Sequence, residues 1–243
     1  MNGQLSRELH GVGVGSRGGV GPAVRVHPAP GLPADEPRPT TPEERARDIA
    51  RLEAALTSVM RDLAAAAELH EGETLGDVLL ATSQMAEDPA LLSESTSLIE
   101  QGEGPAHAIT AVAGQFAELF VAAGGYLAER VSDLNSVRDR VVARLTGQAD
   151  PGLTDLAEPA VLIAHDLTPA DTSTLDLSKI LAICTEAGGP TAHTAIIARQ
   201  LGLPCVVQVS GLMEITEGTL LAVESSTGTV TVEPDMTVQA RIS

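Results

Sequence analysis

The feature that most limits the fold of this 243-residue sequence is a long block of helical periodicity between two segments of different texture. Within residues 41–145, apolar side chains recur every three or four positions, as they do on the buried face of an α-helix. After residue 147, short apolar runs alternate with loops, which is the pattern of strands in an α/β domain. We therefore predict an α/β domain with an inserted bundle of helical hairpins.

Helix caps, glycines and prolines give the boundaries of these segments. Residues 41–44 read Thr-Pro-Glu-Glu, the order of a capped helix start, and a Pro-rich stretch precedes them. We assign residues 1–26 and 147–243 to the α/β part, 40–146 to the helical part and 27–39 to an extended linker. Within these parts we predict helices at about 73–86, 89–101, 105–123 and 126–146, and strands at 160–164, 180–184, 205–209, 219–223 and 229–232.

Composition excludes several classes of function. The chain has 33 acidic and 15 basic residues, a formal net charge of -18, and only 1% aromatic residues, whereas nucleic-acid binding needs clustered cations and stacking rings. Anionic lipid would repel this charge, and neither an uninterrupted apolar run of membrane length nor an apolar signal core is found. Cys184 and Cys205 are too few for a disulfide framework, and we expect both in the core. We predict a cytoplasmic protein that binds neither nucleic acid nor membrane.

One short segment carries the strongest indication of chemistry. A helix is predicted from about 192 to 201, with Thr191 as its N-cap and His193 in its first turn. Unpaired backbone N–H groups and the helix dipole favour an anion there, and a neutral imidazole can carry a phosphoryl group. A histidine at such a helix start is more often a capping or surface residue. The residues alone leave both interpretations open.

A family resemblance separates the two interpretations. Residues 188–199, GGPTAHTAIIAR, resemble the phosphohistidine signature of the phosphoenolpyruvate-utilising enzymes. Residues 10–15, HGVGVG, residues 166–172, DLTPADT, and the stretch 226–235 resemble segments of the enzyme I family of the bacterial phosphoenolpyruvate:sugar phosphotransferase system, and the helical block resembles its inserted HPr-docking subdomain. The resemblance implies an α/β phosphohistidine (swivelling) domain with an inserted all-α helical-hairpin bundle.

The resemblance also implies a reaction. His193 would take a phosphoryl group that comes from phosphoenolpyruvate onto Nε2 and pass it to a histidine of the phosphocarrier HPr, in bacterial sugar uptake. Thr168 would hydrogen-bond the other ring nitrogen. Relatives bind phosphoenolpyruvate and Mg²⁺, and dimerise, through a carboxy-terminal barrel domain. We therefore expect this chain to be a monomer without cofactor or metal that exchanges phosphate with HPr only. The expected supporting residues are Gly188, Gly189, Thr191, Thr194 and Arg199.

Charge is distributed unevenly along the helical block. No basic residue lies between Arg61 and Arg130, but twelve acidic residues do. A charge run is usually a solvated face, but with the resemblance it predicts a docking surface for a positively charged partner. The twelve are Asp62, Glu68, Glu71, Glu73, Asp77, Glu87, Asp88, Glu94, Glu100, Glu103, Glu118 and Glu129. The predicted contacts with HPr are Met85, Glu87, Asp88, Tyr126 and Arg130.

Two other functions stay open. The phosphohistidine domain of a pyruvate-phosphate dikinase or phosphoenolpyruvate synthase has the same signature, but it lacks an inserted HPr-docking bundle. A non-catalytic binding module could keep the fold and use its acidic helices as a scaffold. The presence of both His193 and Thr168 disfavours that module.

Overall fold

The structure is a computed structural model that describes residues 7–152, 156, 158–172, 177–190 and 193–242. The chain forms two compact units. One consists of Met1–Pro28 and Gly152–Ser243 and contains the sheet, and the other, Ala29–Pro151, is helical. The predicted fold class, an α/β domain interrupted by a helical bundle, is confirmed.

The first unit is built on one eight-stranded mixed sheet. Its order is β1-β8-β7-β3-β4-β5-β6-β2, in which β3, β4, β5 and β6 are parallel and every other pairing is antiparallel. The predicted strands at 160–232 correspond to β4 to β8, and residues 7–25 supply three further strands. The strands are β1 (Arg7–His10), β2 (Val12–Val14), β3 (Gly18–Arg25), β4 (Ala160–Ala164), β5 (Ile180–Thr185), β6 (Cys205–Val207), β7 (Leu220–Glu224) and β8 (Thr229–Val232).

The sheet closes on itself at Gly11. Strands β1 and β2 are separated by this one residue, yet they pair with strands at opposite ends of the sheet order. The Gly11 amide donates to the carbonyl oxygen of Gly228 at 2.9 Å, and a Cβ at Gly11 would collide with the Val207 carbonyl oxygen. Only glycine lets the backbones approach this closely, so Gly11 permits the closure.

Both faces of the sheet are covered by apolar side chains, because parallel strands are buried on both sides. One cluster includes Ile163, Cys184 and Leu221, and the other includes Leu162 and Cys205. Both cysteines are buried, as the sequence predicts. Burial raises the pKa of the Cys184 thiol, and it raises the pKa of Cys205 to about 12, so both stay protonated and unreactive.

Three short helices belong to this unit: α7 (Pro169–Thr172), α8 (His193–Leu201) and α9 (Met236–Ile242). Helix α8 lies between β5 and β6, and its range agrees with the helix predicted at 192–201 as far as the structure describes it.

The helical unit begins where the capping signal predicts. The Glu44 amide donates to the Thr41 hydroxyl, the Glu44 carboxylate accepts from the Thr41 amide, and Pro42 is the first helical residue. Backbone donation from Thr40 and then Thr41 lowers the pKa of Glu44. The helices of this unit are α1 (Pro42–Leu69), α2 (Thr74–Ala86), α3 (Pro89–Glu100), α4 (Pro105–Ala123), α5 (Gly125–Glu129) and α6 (Val131–Thr146).

The predicted single helix at 126–146 is wrong, because the structure breaks it at Arg130. The preceding residues form α5, a helix of five residues, and α6 begins at Val131. Arg130 caps both helices, and its buried side chain pairs with Asp133 inside the unit. No Gly or Pro marks this boundary, and a buried pair between residues three apart lies beside it.

Residues 29–39, most of the predicted linker, form no helix or strand and group with the helical unit. The Glu36 carboxylate accepts from the amides of Ala106 and His107, at 2.9 and 3.0 Å, and thereby caps the start of α4. The Gln148 side chain donates to the Gly31 carbonyl oxygen at 2.9 Å, so residues after α6 belong to this unit too. This extended segment is fixed by polar contacts far away in the sequence.

Within the part of the chain that the structure describes, α4 is long and apolar enough, by length and composition, to cross a membrane. Core helices of soluble proteins pass the same test. One side of α4, including Ile109 and Val112, is buried, and the helix packs against α3 and α6. Its apolar composition therefore has an explanation inside the bundle.

Candidate functional site

Three parallel strands end at one edge of the sheet. Residues 165–168 follow β4, residues 186–190 follow β5, and Gln208 follows β6. Ligands of parallel sheets usually bind outside the carboxyl ends of the strands. Residues 188–199, which resemble a phosphohistidine signature, and residues 166–172, which resemble a loop of the enzyme I family, both begin at the carboxyl ends of these strands.

The structure places the backbone of His193 at the first residue of α8, a nine-residue helix. Gly188, in the loop before it, has a φ of 81°, in the left-handed region that favours glycine. Thr191, the predicted N-cap, lies outside the described residues. Gly189 lies near Gln208, since a Cβ built on Gly189 would be 3.9 Å from the Gln208 Nε2 atom. The loops after β5 and β6 therefore meet before α8.

A buried hydrogen bond joins α8 to the loop after β4. The Thr194 hydroxyl donates to the Leu167 carbonyl oxygen at 3.2 Å, and both residues are buried. Thr194 directly follows His193, and Leu167 directly precedes Thr168. The structure thus brings together the two segments that carry the predicted nucleophile and its predicted partner.

Thr168 and Asp171 hold each other in place at the start of α7. The Thr168 amide and hydroxyl both donate to Asp171 Oδ2, at 3.0 and 2.7 Å, and the Asp171 amide donates back to the Thr168 hydroxyl oxygen at 3.2 Å. Asp171 is 7% exposed. The sequence analysis did not find Asp171, although Thr-x-x-Asp is the spacing of a reciprocal helix cap.

A second polar pair lies at the same edge. His165 Nδ1 is 3.2 Å from Glu186 Oε2, and the Gly211 amide donates to Glu186 Oε1 at 3.2 Å. Hydrogen bonding to His165, followed by backbone donation from Met213 and Gly211, lowers the pKa of Glu186. The sequence analysis did not identify Glu186, and the lone acid after β5 gives no spacing signal.

Arg199 is not brought to the start of α8. It is exposed in the last turn of the helix, six residues after His193. Six residues correspond to about 9 Å along a helix axis. Arg199 lowers the pKa of the nearby Cys205 thiol and opposes the effect of burial, so its charge acts at the other end of the helix.

Arg130 connects two of the other predicted partner residues of the helical unit. Its guanidinium lies 4.0 Å from Met85 Sδ and 5.9 Å from the centre of the Tyr126 ring. Arg130 itself is 6% exposed and pairs with Asp133 at 3.0 Å. Arg130 therefore supports the side chains of Met85 and Tyr126 and offers little exposed area to a partner.

Exposed acidic and apolar side chains lie on either side of this support. Glu87 and Asp88 are exposed at the turn between α2 and α3, where Asp88 also caps α3 through the Ala90 amide at 2.8 Å. We use the name docking face for Glu87, Asp88, Leu119, Val121, Tyr126 and Leu127. Its apolar members are exposed side chains at the end of α4 and in α5. Each of these apolar side chains is exposed on its own helix.

Comparison with known proteins identifies the family. The sequence model described as "PEP-utilising enzyme, N-terminal" matches residues 10–130, and the model described as "PEP-utilising enzyme, mobile domain" matches residues 156–228. The chain belongs to the family of phosphoenolpyruvate-utilising enzymes. The mobile-domain match contains both Thr168 and His193.

Two relatives of this chain carry the same name. The phosphoenolpyruvate-protein phosphotransferase of Streptomyces coelicolor is 43% identical over 234 residues, which are 96% of this chain and 40% of that protein. The protein of the same name from Haloferax volcanii is 35% identical over 94% of this chain and 41% of its own length. The chain therefore spans about two fifths of the length of these relatives.

Solved structures resemble both units of the chain. A solution structure of an Enzyme I protein matches with a TM-score of 0.79 and 29% identity, over 96% of each chain. The amino-terminal domain of an Enzyme 1 described as "Nitrogen" matches with a TM-score of 0.62 at 19% identity, and it shows the fold alone.

Proposed function

We propose that this chain is the phosphoryl-carrying part of a phosphoenolpyruvate-protein phosphotransferase. His193 accepts a phosphoryl group on Nε2 and passes it to a histidine of the phosphocarrier HPr. The bond between Thr194 and Leu167 is the observation that supports this most, because it holds the start of α8 beside Thr168. Backbone N–H groups in the first turn of α8 favour the phosphoryl anion.

The transfer is a reversible exchange between two imidazoles. The lone pair on Nε2 of neutral His193 attacks phosphorus, and the P–N bond to the HPr histidine breaks. That electron pair returns to the HPr ring, which becomes a neutral imidazole. His193 keeps its proton on Nδ1, so the phosphorylated ring is positively charged and the phosphoryl group is an anion. No net proton transfer is needed.

The docking face supports HPr as the partner. Glu87 and Asp88 supply negative charge. The exposed apolar side chains, Tyr126 among them, supply apolar surface from which water is displaced on binding. The partner would be a small protein with a basic face around its own histidine. Complementary charge would accelerate encounter and set orientation.

Several properties follow as further proposals. We propose that the chain works as a cytoplasmic monomer and takes phosphate from phospho-HPr, and that phosphoenolpyruvate and Mg²⁺ act only through a carboxy-terminal domain. In the ranges that the structure describes, no three His, Cys, Asp or Glu side chains form a group that could hold a metal ion.

Phosphoryl exchange with purified phospho-HPr tests the assignment. The chain is mixed with phospho-HPr, and the intact mass and the modified residue are read by mass spectrometry. We expect one phosphoryl group on His193, none on the His193→Ala variant, and wild-type behaviour from His27→Ala, which removes an exposed histidine of the same unit.

The other outcomes separate the alternatives. Phosphate that persists after His193→Ala contradicts the assignment. Binding of HPr without phosphate on either variant supports the non-catalytic module. If the chain neither binds HPr nor exchanges phosphate with it, but is phosphorylated by a dikinase-type partner, the dikinase or synthase alternative is supported.

A further inference from the structure

Glu186 is the first residue after β5, and the backbone around it is bonded to the loop after β4. The Glu186 amide donates to the Ala164 carbonyl oxygen at 3.0 Å, and the Ala187 amide donates to the His165 carbonyl oxygen at 2.7 Å. The backbone bonding of β4 with β5 therefore continues beyond the ends of both strands. The Glu186 side chain leaves this paired backbone at the start of residues 186–190, the loop that leads to α8.

The Glu186 carboxylate contacts the loops on both sides of it. Its Oε2 atom lies 3.2 Å from His165 Nδ1, in the loop after β4, and its Oε1 atom accepts from the Gly211 amide at 3.2 Å, in the loop after β6. Backbone donation from Met213 also contributes to the lowered pKa of this carboxyl group. Both carboxylate oxygens are acceptors, so one side chain can hold two loops at once.

The loop after β6 lies against the loop that leads to α8. A Cβ on Gly189 would be 3.9 Å from the Gln208 Nε2 atom, and the Val209 amide donates to the Thr185 carbonyl oxygen at 3.0 Å. The Thr185 hydroxyl donates to the Ala187 carbonyl oxygen at 2.8 Å. The end of β5 therefore contacts both the loop that follows it and the loop after β6.

We infer that Glu186 is a positioning residue that holds the loops after β4 and β6 against the loop that leads to α8. This inference rests on the proposed function, because the three loops lie at the edge of the sheet where α8 begins. Small displacements of the groups around a reacting centre can lower a rate strongly. The docking face belongs to the other compact unit, so loss of Glu186 should slow transfer within the bound complex and leave the binding of HPr unchanged.

The rate of phosphoryl uptake tests this inference. Wild type and Glu186→Ala are each mixed with excess phospho-HPr, and phosphate on the chain is followed in time by rapid quenching and intact mass. In the variant we expect the rate constant at saturating phospho-HPr to fall about tenfold, the effect of losing hydrogen bonds to one charged group. The phospho-HPr concentration that gives half the maximal rate should stay within about twofold of wild type.

The end point of the same reaction separates positioning from partial unfolding. A partly unfolded variant takes up less than one phosphoryl group per chain, whereas a folded variant with a displaced loop reaches the wild-type value more slowly. We expect equal end points for wild type and Glu186→Ala. A lower end point with an unchanged rate constant overturns the inference, because Glu186 would then act on stability alone.

Two milder variants remove part of the contacts. Glu186→Gln keeps the length of the side chain and one acceptor oxygen, and His165→Ala removes only the contact with Oε2. We expect both to have rate constants between those of wild type and Glu186→Ala. If Glu186→Ala does not fold, these two variants decide, and wild-type rate constants in both overturn the inference.

Glu214→Ala is the matched control, because it also removes one acidic residue from the loop after β6. The Glu214 carboxylate pairs with Arg7 at 2.9 Å, but the two side chains are 69% and 54% exposed, and such pairs contribute little. We expect its rate constant to equal that of wild type, which shows that loss of a negative charge is not the cause. Equal rate constants in Glu186→Ala and Glu214→Ala overturn the inference. Absence of phosphate on the wild-type chain overturns the proposed function instead.

Discussion

The Thr194 hydroxyl in the first turn of α8 donates to the carbonyl oxygen of Leu167 at 3.2 Å, and neither residue is accessible to solvent. This contact spans 27 positions of sequence and ties α8 to the loop after β4. A buried carbonyl without a partner is costly, so the bond contributes to the fold as well as to the site. The placement of α8 beside this loop therefore depends in part on the Thr194 side chain.

Removal of that hydroxyl should loosen both the fold and the site. Thr194→Val keeps the shape of the side chain but leaves the Leu167 carbonyl unpaired, which should cost about 1 to 3 kcal/mol of unfolding free energy. Urea denaturation measures this loss, and phosphorylation by phospho-HPr should slow in parallel. Thr194→Ser keeps the hydroxyl and should stay close to wild type. A Val variant that is as stable as the Ser variant would contradict this role.

Glu36 should be a main stabilising residue of the helical unit. Its carboxylate caps α4 through the amides of Ala106 and His107 and also contacts His107 Nδ1 at 2.7 Å. Glu36→Ala leaves these donors unpaired, and we expect a loss of about 2 kcal/mol in thermal or urea unfolding of the unit. Asp35→Ala removes an exposed neighbouring acid and should have little effect. Equal losses from the two variants would show that α4 does not depend on this cap.

The sequence predicts best what neighbouring residues decide. The start of α1 at Pro42 is predicted from an N-cap, a Pro and a Glu within four positions, and the structure confirms it. The cap of α4 by Glu36 acts across 70 positions, and no local pattern links the two. The break at Arg130 is marked by no Gly or Pro, and the buried ion pair beside it is seen only in the structure.

The candidate site divides in the same way. Helix α8 and the loop of Thr168 are predicted by motifs, whereas the reciprocal hydrogen bonds between Thr168 and Asp171 are seen only in the structure. Arg199 belongs to the motif by sequence, but its helical position carries it to the far end of α8. Spacing along a sequence alone does not tell which motif residues share one end of a helix.

The ion pair of Arg130 and Asp133 should be costly to break. Both side chains are 7% exposed, and their atoms approach to 3.0 Å. Asp133→Leu leaves a buried guanidinium without its partner and should cost about 3 kcal/mol of unfolding free energy. The double variant Arg130→Met/Asp133→Leu removes both charges and should recover much of that loss. Calorimetric unfolding of the single and double variants measures the difference.

The same variants separate stability from partner binding. In the double variant, Tyr126 loses the guanidinium 5.9 Å from its ring, so affinity for HPr should fall even where stability recovers. Titration calorimetry with HPr measures this change. Full recovery of both quantities would contradict the supporting role assigned to Arg130.

Gln208 should be replaceable by glycine with a gain in stability. It has a φ of 60°, in the left-handed region, although it carries a Cβ. The amide of the next residue, Val209, donates to the Thr185 carbonyl oxygen at 3.0 Å and holds the backbone in this conformation. Gln208→Gly relieves the steric cost, part of which is offset by the greater freedom of glycine in the unfolded chain, so we expect a gain of about 0.5 to 1 kcal/mol.

Gln208→Ala provides the matched control, because alanine keeps the Cβ and therefore the strain. Its unfolding free energy, measured in urea, should match wild type within about 0.5 kcal/mol. If glycine proves less stable than alanine at this position, the Cβ is not the source of the cost.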